Sequence, residues 1–254
     1  MKKQFIAALA SITLMSTALG QGSDQDQPSI HRIPKPLLSG EGLDKIQQSD
    51  TSRTAFQKKV YDGSTIAIYI VAIGTGITNE FQNFRMEEFI YWMNGKAIVE
   101  PVGAQPFPIY TGDYFIQAKG FKGKWNFVDI GGVHLELALI AKNRPDSTFK
   151  SPMSQAMVLD RELLSGVSVP PNGNIYKGPE LTVNLITNAA QLDGKSPERM
   201  LHVLNGVLTV TINQAPEQQF YPGDFFVLSE GFQGTWRSNS LQKLRVLEVY
   251  KSTD

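Results

Sequence analysis

The chain of 254 residues contains no cysteine. Disulfides are excluded, as is a lipid-modified cysteine behind a leader, so stability must come from the core alone. Histidine is nearly as scarce, with only His31, His134 and His202. An excess of charge is also lacking: Lys plus Arg and Asp plus Glu each total 24. That balance argues against nucleic acid or another polyanion as a partner. The apolar runs are too short for a spanning helix, so no membrane insertion is expected. Helical periodicity is missing as well: no window of a dozen residues in the body of the chain shows it.

What is present begins with an export pattern. Lys2 and Lys3 form a positive start, Phe5 to Met15 an apolar core, and Ala18-Leu19-Gly20 a small-x-small cleavage site before Gln21. Residues 1–20 are therefore expected to be a signal peptide, and the mature protein to be periplasmic or secreted. Removing Lys2 and Lys3 leaves 22 basic against 24 acidic residues. Residues 21–55 are rich in Gln, Ser, Asp, Gly and Pro, which predicts an extended, partly disordered lead-in against the first domain. His31 is expected there as a solvent-exposed histidine.

The body of the chain is written twice. Asn94-Gly95, Tyr110, Gly112-Asp113, Phe115 and Gly120-Phe121-x-Gly123-x-Trp125 return as Asn205-Gly206, Tyr221, Gly223-Asp224, Phe226 and Gly231-Phe232-x-Gly234-x-Trp236. The offset is 111 residues throughout, without a gap. Such a repeat divides the chain into two units, residues 56–145 and 146–254, with 146–174 as a proline-bearing crossing and one short helix near 155–164. Within each unit, short apolar runs alternate with Gly, Pro, Asn and Asp. Thr65 to Ile73 is apolar nearly throughout, as a strand covered on both faces should be. Asn94-Gly95 and Asn205-Gly206, each between two such runs, predict tight hairpins with positive φ at both turn residues. The expected fold is all-β, as two sandwiches or barrels.

Glu88 to Gly95, Gly112-Asp113 and Gly120, with their counterparts Arg199 to Gly206, Pro222-Gly223-Asp224 and Gly231, resemble the two motifs of the cupin superfamily (RmlC-like jelly rolls). The Gly-Phe-x-Gly-x-Trp ending is similar to the cupin subfamily that includes (S)-ureidoglycine aminohydrolase. The resemblance covers most of Phe56 to Tyr250, twice, and implies two tandem cupin (jelly-roll) β-barrels. It also implies a metal held by two histidines ahead of the motif glutamate and a third behind it. Here the upstream slots fall near Phe81 and Asn83, and near Gln191 and Asp193; the downstream slots are Gly123 and Gly234. The glutamate is kept as Glu88 and becomes Arg199 in the second copy. With one histidine per barrel, a three-histidine site cannot be assembled, so no metal cofactor is expected. An oxygen-donor divalent site from Glu88, Asp193 or Asn83 stays open.

Glu88, Ile90 and Trp92 share one strand face, which the family pattern turns into the barrel. Burial would raise the Glu88 pKa and suit it to acid–base work, unless Lys119, Lys124 or a hydroxyl pairs with it. His134, two residues from Glu136, is the second catalytic candidate, against a satisfied core histidine. Arg199 could hold an anion by paired hydrogen bonds or be tied to Glu198 or Glu248. Trp92, Trp125 and Trp236 could wall a planar or sugar ligand or simply fill the core. Tyr91 and His202 occupy equivalent positions with the parity opposite to Glu88, so they join the binding candidates as residues facing another sheet. Asp113 and Asp224 should hydrogen-bond their turns and do no chemistry. The resulting expectation is a small polar ligand, bound or worked on without a metal. A metal-dependent amidohydrolase and a non-catalytic interaction module are the alternatives. Oligomeric state stays open, with a homodimer through apolar outer strands as one option.

Overall fold

A computed structural model describes residues 29–46, 55–128, 132–143, 156–170, 173–189, 197–212, 216–238 and 243–253. The expected leader, Gln191 and Asp193 lie outside them. In chain order the elements open with β1 (Ile30–Arg32), α1 (Lys35–Leu38) and β2 (Asp44–Ile46). The first unit follows as β3 (Ala55–Asp62), β4 (Ile66–Gly74), β5 (Thr78–Phe81), β6 (Glu88–Asn94) and β7 (Lys96–Pro101), then β8 (Phe107–Tyr110), β9 (Tyr114–Gln117), β10 (Gly123–Phe127) and β11 (Val133–Ala141). A short crossing carries β12 (Met157–Val158) and α2 (Arg161–Leu164). The second unit is β13 (Asn174–Lys177), β14 (Leu181–Ile186), β15 (Arg199–Asn205) and β16 (Leu208–Thr211), then β17 (Gln218–Phe220), β18 (Phe225–Leu228), β19 (Thr235–Ser238) and β20 (Arg245–Lys251).

Four antiparallel sheets result. A seven-stranded sheet (β12-β9-β6-β11-β4-β3-β2) faces a four-stranded one (β5-β10-β7-β8) to make the first barrel. A six-stranded sheet (β1-β18-β15-β20-β14-β13) faces a three-stranded one (β17-β16-β19) to make the second. The two large sheets lie back to back. Alternate residues of β4 show why its run is apolar on both faces: Ile66, Ile68, Ile70 and Ala72 join a core shared with Val183, Met200, Val227 and Leu247. Val71 and Ile73 turn into the first barrel with Trp92, Phe121 and Trp125.

The Asn-Gly pairs are not hairpins. β6 and β7 belong to different sheets, so Asn94-Gly95 is a corner between them, and Asn205-Gly206 is its twin. Positive φ falls on Gly95 (98°) and Gly206 (79°) alone of these four residues. The glycine lets the chain bend from one layer into the next, and the Trp92 indole N–H ties the corner by donating to the Gly95 carbonyl at 3.0 Å.

Two reciprocal devices join the halves. Glu87 and Glu198 stand at matching positions, each with its carboxylate inserted into the other unit's first hairpin. Glu198 accepts from Tyr61 O–H (2.6 Å) and from the N–H groups of Ser64, Thr65 and Ile66. Glu87 accepts from Tyr176 O–H and from the N–H groups of Glu180 and Leu181. A Cβ on Gly63 would sit 1.6 Å from Glu198 Oε1, and one on Gly178 would sit 2.2 Å from Glu87 Oε1, so both hairpins need glycine there. The second device is a pair of crossed arms. The lead-in does not lie on the first barrel alone: β1 pairs with β18 of the second. The crossing reciprocates through β12, which pairs with β9 of the first. Both arms run into Leu-Leu-Ser-Gly, at 37–40 and 163–166. Their cations reach the turn aspartates, Lys35 and Arg32 at Asp224 and Arg161 at Asp113. His31, exposed as expected, faces the Val60 carbonyl at 3.1 Å.

Candidate functional site

The strand parity read for Glu88 holds. Ile90 and Trp92, on the same face of β6, are fully buried in the first barrel, and Glu88 is half-buried at the end of that row. Neither lysine considered for it is spent there: Lys119 pairs with Glu180 at 2.7 Å and Lys124 with Glu80 at 2.9 Å. Directly across the ladder from Glu88 stands Gln117, completely buried. Among the described residues neither polar atom of its amide has a hydrogen-bond partner. Trp125 is in the same state, 4% exposed with its indole N–H unpaired. Phe115 connects them, two residues before Gln117 on the same face and 5.2 Å from the Trp125 ring. Two unpaired polar groups in one apolar interior are costly, since each forfeits about 1–3 kcal/mol of hydration unless something pairs with it.

His134 is the satisfied core histidine. It is fully buried, 3.8 Å from the Trp92 ring, with Nε2 at 2.6 Å from Glu136 Oε2 and Nδ1 at 3.2 Å from the Asn94 carbonyl. It is also remote from Glu88. In the ladder Glu88 faces Ile140 while Trp92 faces Glu136, so Glu136 lies four residues along the strand from the Glu88 level, about 13 Å away. His134 lies further still. The two catalytic candidates cannot meet on one reacting atom, because Ile90 and Trp92 fill the space between them.

Arg199 occupies the Glu88 position of the second barrel and is tied to Glu248 rather than to Glu198. Both are buried, and the other oxygen of Glu248 accepts from the Asn184 amide at 2.8 Å. Asn174 in turn donates to Asn184 at 3.0 Å. Leu228 stands where the first barrel has Gln117. Trp92 and Trp125 are core, but Trp236 is half-buried, packed beside Phe232 at 5.6 Å.

Tyr91 and His202 line neither interior. Their parity carries them into the seam between the large sheets, as a four-ring cluster. Tyr91 stacks on Tyr114 at 4.8 Å and His202 on Phe225 at 3.6 Å, while Tyr114 O–H and His202 Nδ1 lie 2.7 Å apart. Burial pushes the imidazole down to about 3, against a weaker upward pull from Asp224. Burial likewise raises both tyrosines, Tyr114 furthest. In that seam the four rings join the two large sheets. Asp113 and Asp224 do bind their turns, through Tyr110 N–H (2.8 Å) and Tyr221 N–H (2.9 Å).

Three of the described metal-ligand slots offer no ligating side chain. Phe81 is buried in the aromatic core. A Cβ on Gly123 would lie 2.4 Å from the Glu100 carbonyl, and one on Gly234 2.8 Å from both the Phe232 ring and the Thr211 carbonyl. Neither glycine can be exchanged for a ligand without moving backbone. Among the described residues no group of three or more His, Cys, Asp or Glu could hold an ion.

Two jelly-roll barrels fused back to back, with polar residues at one end of each interior, define a tandem cupin fold. Comparison with known proteins agrees: residues 189–243 match the EutQ-like cupin domain. A cupin 2 conserved barrel protein from Leptotrichia buccalis superposes with a TM-score of 0.55 at 13% identity, covering 82% of this chain and 92% of that one. A Pseudomonas aeruginosa protein provisionally named glyoxylate-induced gives 0.61 at 16% identity, covering 92% and 94%. A Streptomyces albus HEPD structure, with 2-hydroxyethylphosphonate and Fe(II) bound, gives 0.54 at 8% identity, covering 90% and 77%. No curated protein matches the sequence. At such identities the likeness establishes the fold and no activity.

Proposed function

We propose that this is an exported tandem cupin whose first barrel binds a small polar molecule at the Glu88–Gln117 end, without a metal. The leader-like residues 1–20 support export. The observation that carries the site is the unpaired Gln117 amide beside Glu88, with the unpaired Trp125 N–H in the same interior. A bound molecule offering a donor and acceptors would satisfy all three atoms. Glu88 is the group placed to give or take a proton, and His134 holds the far end of the barrel. The rival is a divalent-metal amidohydrolase like (S)-ureidoglycine aminohydrolase. Gly123 and Gly234, which have no room for a ligating side chain, weigh against it.

A thermal-shift screen of small polar metabolites tests the proposal, because a ligand that binds only the folded state raises Tm. A hit should stabilise the native protein and the Arg199→Lys variant alike, and Gln117→Leu should lose it. Glu88→Gln should keep the fold and lose any proton-transfer activity. A ligand that stabilises Gln117→Leu as well as the native protein would overturn the site. A screen with no hit favours two packed barrels serving as an interaction module.

A further inference from the structure

The two-fold repetition provides an internal control for a groove outside either barrel. The groove has a volume of about 750 Å³ and runs between β8 and residues 156–161 of the crossing, lined by Pro101, Phe107, Pro108, Tyr110, Asp113 and Arg161 among others. Its twin on the second barrel runs between β17 and β1, and there the chain fills it with its own Arg32. That guanidinium lies 4.3 Å over the Phe220 ring. Nη1 donates to Asp224 Oδ2 at 2.9 Å, and Nη2 donates to the Gln219 carbonyl.

Strand register fixes the equivalence. Arg32 faces Phe226 and Val158 faces Phe115, and those partners are 111 residues apart. Gln219 faces Thr209 and Pro108 faces Ile98, again 111 apart. The first barrel therefore presents the same seat with Val158 in place of Arg32. Val158 brings no cation and is too short to span the groove. Asp113 remains, 4% exposed, and its two oxygens are unequally used. Oδ1 accepts from Arg161 Nε (2.9 Å) and Nη2 (2.6 Å), the role Lys35 plays at Asp224 Oδ1. Among the described residues Oδ2 accepts only from Tyr110 N–H, whereas Asp224 Oδ2 accepts from both Tyr221 N–H and Arg32. The Pro108 carbonyl stands at the place of the Gln219 carbonyl. Ile109 replaces Phe220, but Phe107 and Tyr110 supply aromatic surface along the same wall.

We propose that this groove binds a small guanidinium compound, seated on Asp113 Oδ2 and the Pro108 carbonyl as Arg32 is seated on Asp224 and Gln219. A planar fork of N–H donors suits one carboxylate oxygen and a neighbouring carbonyl better than a point ammonium does.

The test is a titration of the purified protein with N-acetyl-L-arginine amide, followed through the Tyr110 amide by NMR. A saturable shift is expected. The neutral citrulline analogue, of nearly equal shape, should bind at least about tenfold more weakly. Val158→Arg, which supplies the guanidinium from within, should abolish binding. Three results would each overturn the proposal: no saturable binding, equal binding of the citrulline analogue, or undiminished binding to a folded Val158→Arg variant. Should that variant fail to fold, the comparison of the two probes on the native protein decides.

Discussion

The two barrels share a scaffold and differ at the end of the interior that carries Glu88 in one and Arg199 in the other. In the second barrel Arg199, Glu248 and Asn184 close on one another, and every oxygen of the carboxylate is used. At the same four positions the first barrel has Glu88, Gln117, Tyr69 and Ala138, where the second has Arg199, Leu228, Asn184 and Glu248. That set leaves the Gln117 amide without a partner. One copy has turned its polar end into a structural joint, and the other keeps a buried amide unpaired among the described residues. Duplication allows this division, because either barrel can lose a site while both retain the sheets that hold them together.

The largest expected effect comes from opening the closed end. Arg199→Leu would strand Glu248 in a buried setting, and removing one partner of a buried pair costs about 3–5 kcal/mol. The double variant Arg199→Leu/Glu248→Leu should recover most of that loss, since a well-packed apolar pair is often as stable as the ions it replaces. Denaturant midpoints of the three proteins measure it. A double variant as unstable as Arg199→Leu would mean that the second interior is more than a joint.

Next in size are the two carboxylate latches. Replacing Glu198 by Gln turns one of its two acceptor oxygens into an NH2 donor that faces either Tyr61 O–H and Ser64 N–H or the Thr65 and Ile66 N–H groups, at about 1–3 kcal/mol. The twins should respond to pH in opposite senses. Burial pushes Glu198 up, but the hydrogen bonds from Tyr61, Thr65 and Ile66 outweigh it and hold the carboxyl below its usual range. In that state the unfolded chain binds more protons, so the Glu198 contribution is present at neutral pH and lost on acidification. At Glu87 burial wins over the bonds from Tyr176, Glu180 and Leu181, and the pKa rises. The folded chain then binds more protons, so stability falls as pH climbs through that raised pKa. Stability curves should therefore depart from the native curve with opposite slopes, Glu198→Gln on the acid side of about pH 5 and Glu87→Gln on the alkaline side of it. Parallel curves would show the latches to be equivalent.

Much of this was legible because the 111-residue offset fixes two barrels before any strand is placed. What escaped has identifiable causes. Asn94-Gly95 looks like a hairpin because a local turn signal cannot say whether the flanking strands join one sheet or two. Glu88 and His134 both stand as catalytic candidates in the sequence because strand register, which puts Trp92 between them, is not written in either motif. The crossed arms carried a signal of their own, Leu-Leu-Ser-Gly at 37–40 and 163–166, but their offset is 126 and falls outside the main frame. Glu87 and Glu198 were visible as identical residues one position ahead of the motif, yet only the folded chain shows that each serves the opposite barrel. Gln117 belongs to no motif, because the motifs consist of residues the copies share; its signal is the mismatch with Leu228.

The smallest effect is the most pointed test of the asymmetry. Gln117→Leu makes the first barrel match the second at one position, exchanging an amide whose two polar atoms have no partner for an apolar chain of similar volume. Removing a buried unsatisfied group while keeping its volume should leave stability unchanged or raise it by about 1 kcal/mol. The reciprocal change, Leu228→Gln, places the same amide beside Arg199 and Glu248 and should cost about 1–3 kcal/mol unless that pair rearranges to meet it. A gain at Gln117 coupled to lost ligand binding is the pattern of a residue kept for function at the expense of stability. If Gln117→Leu instead destabilises the protein, the amide has a structural partner, and the difference between the barrels lies in packing and not in binding.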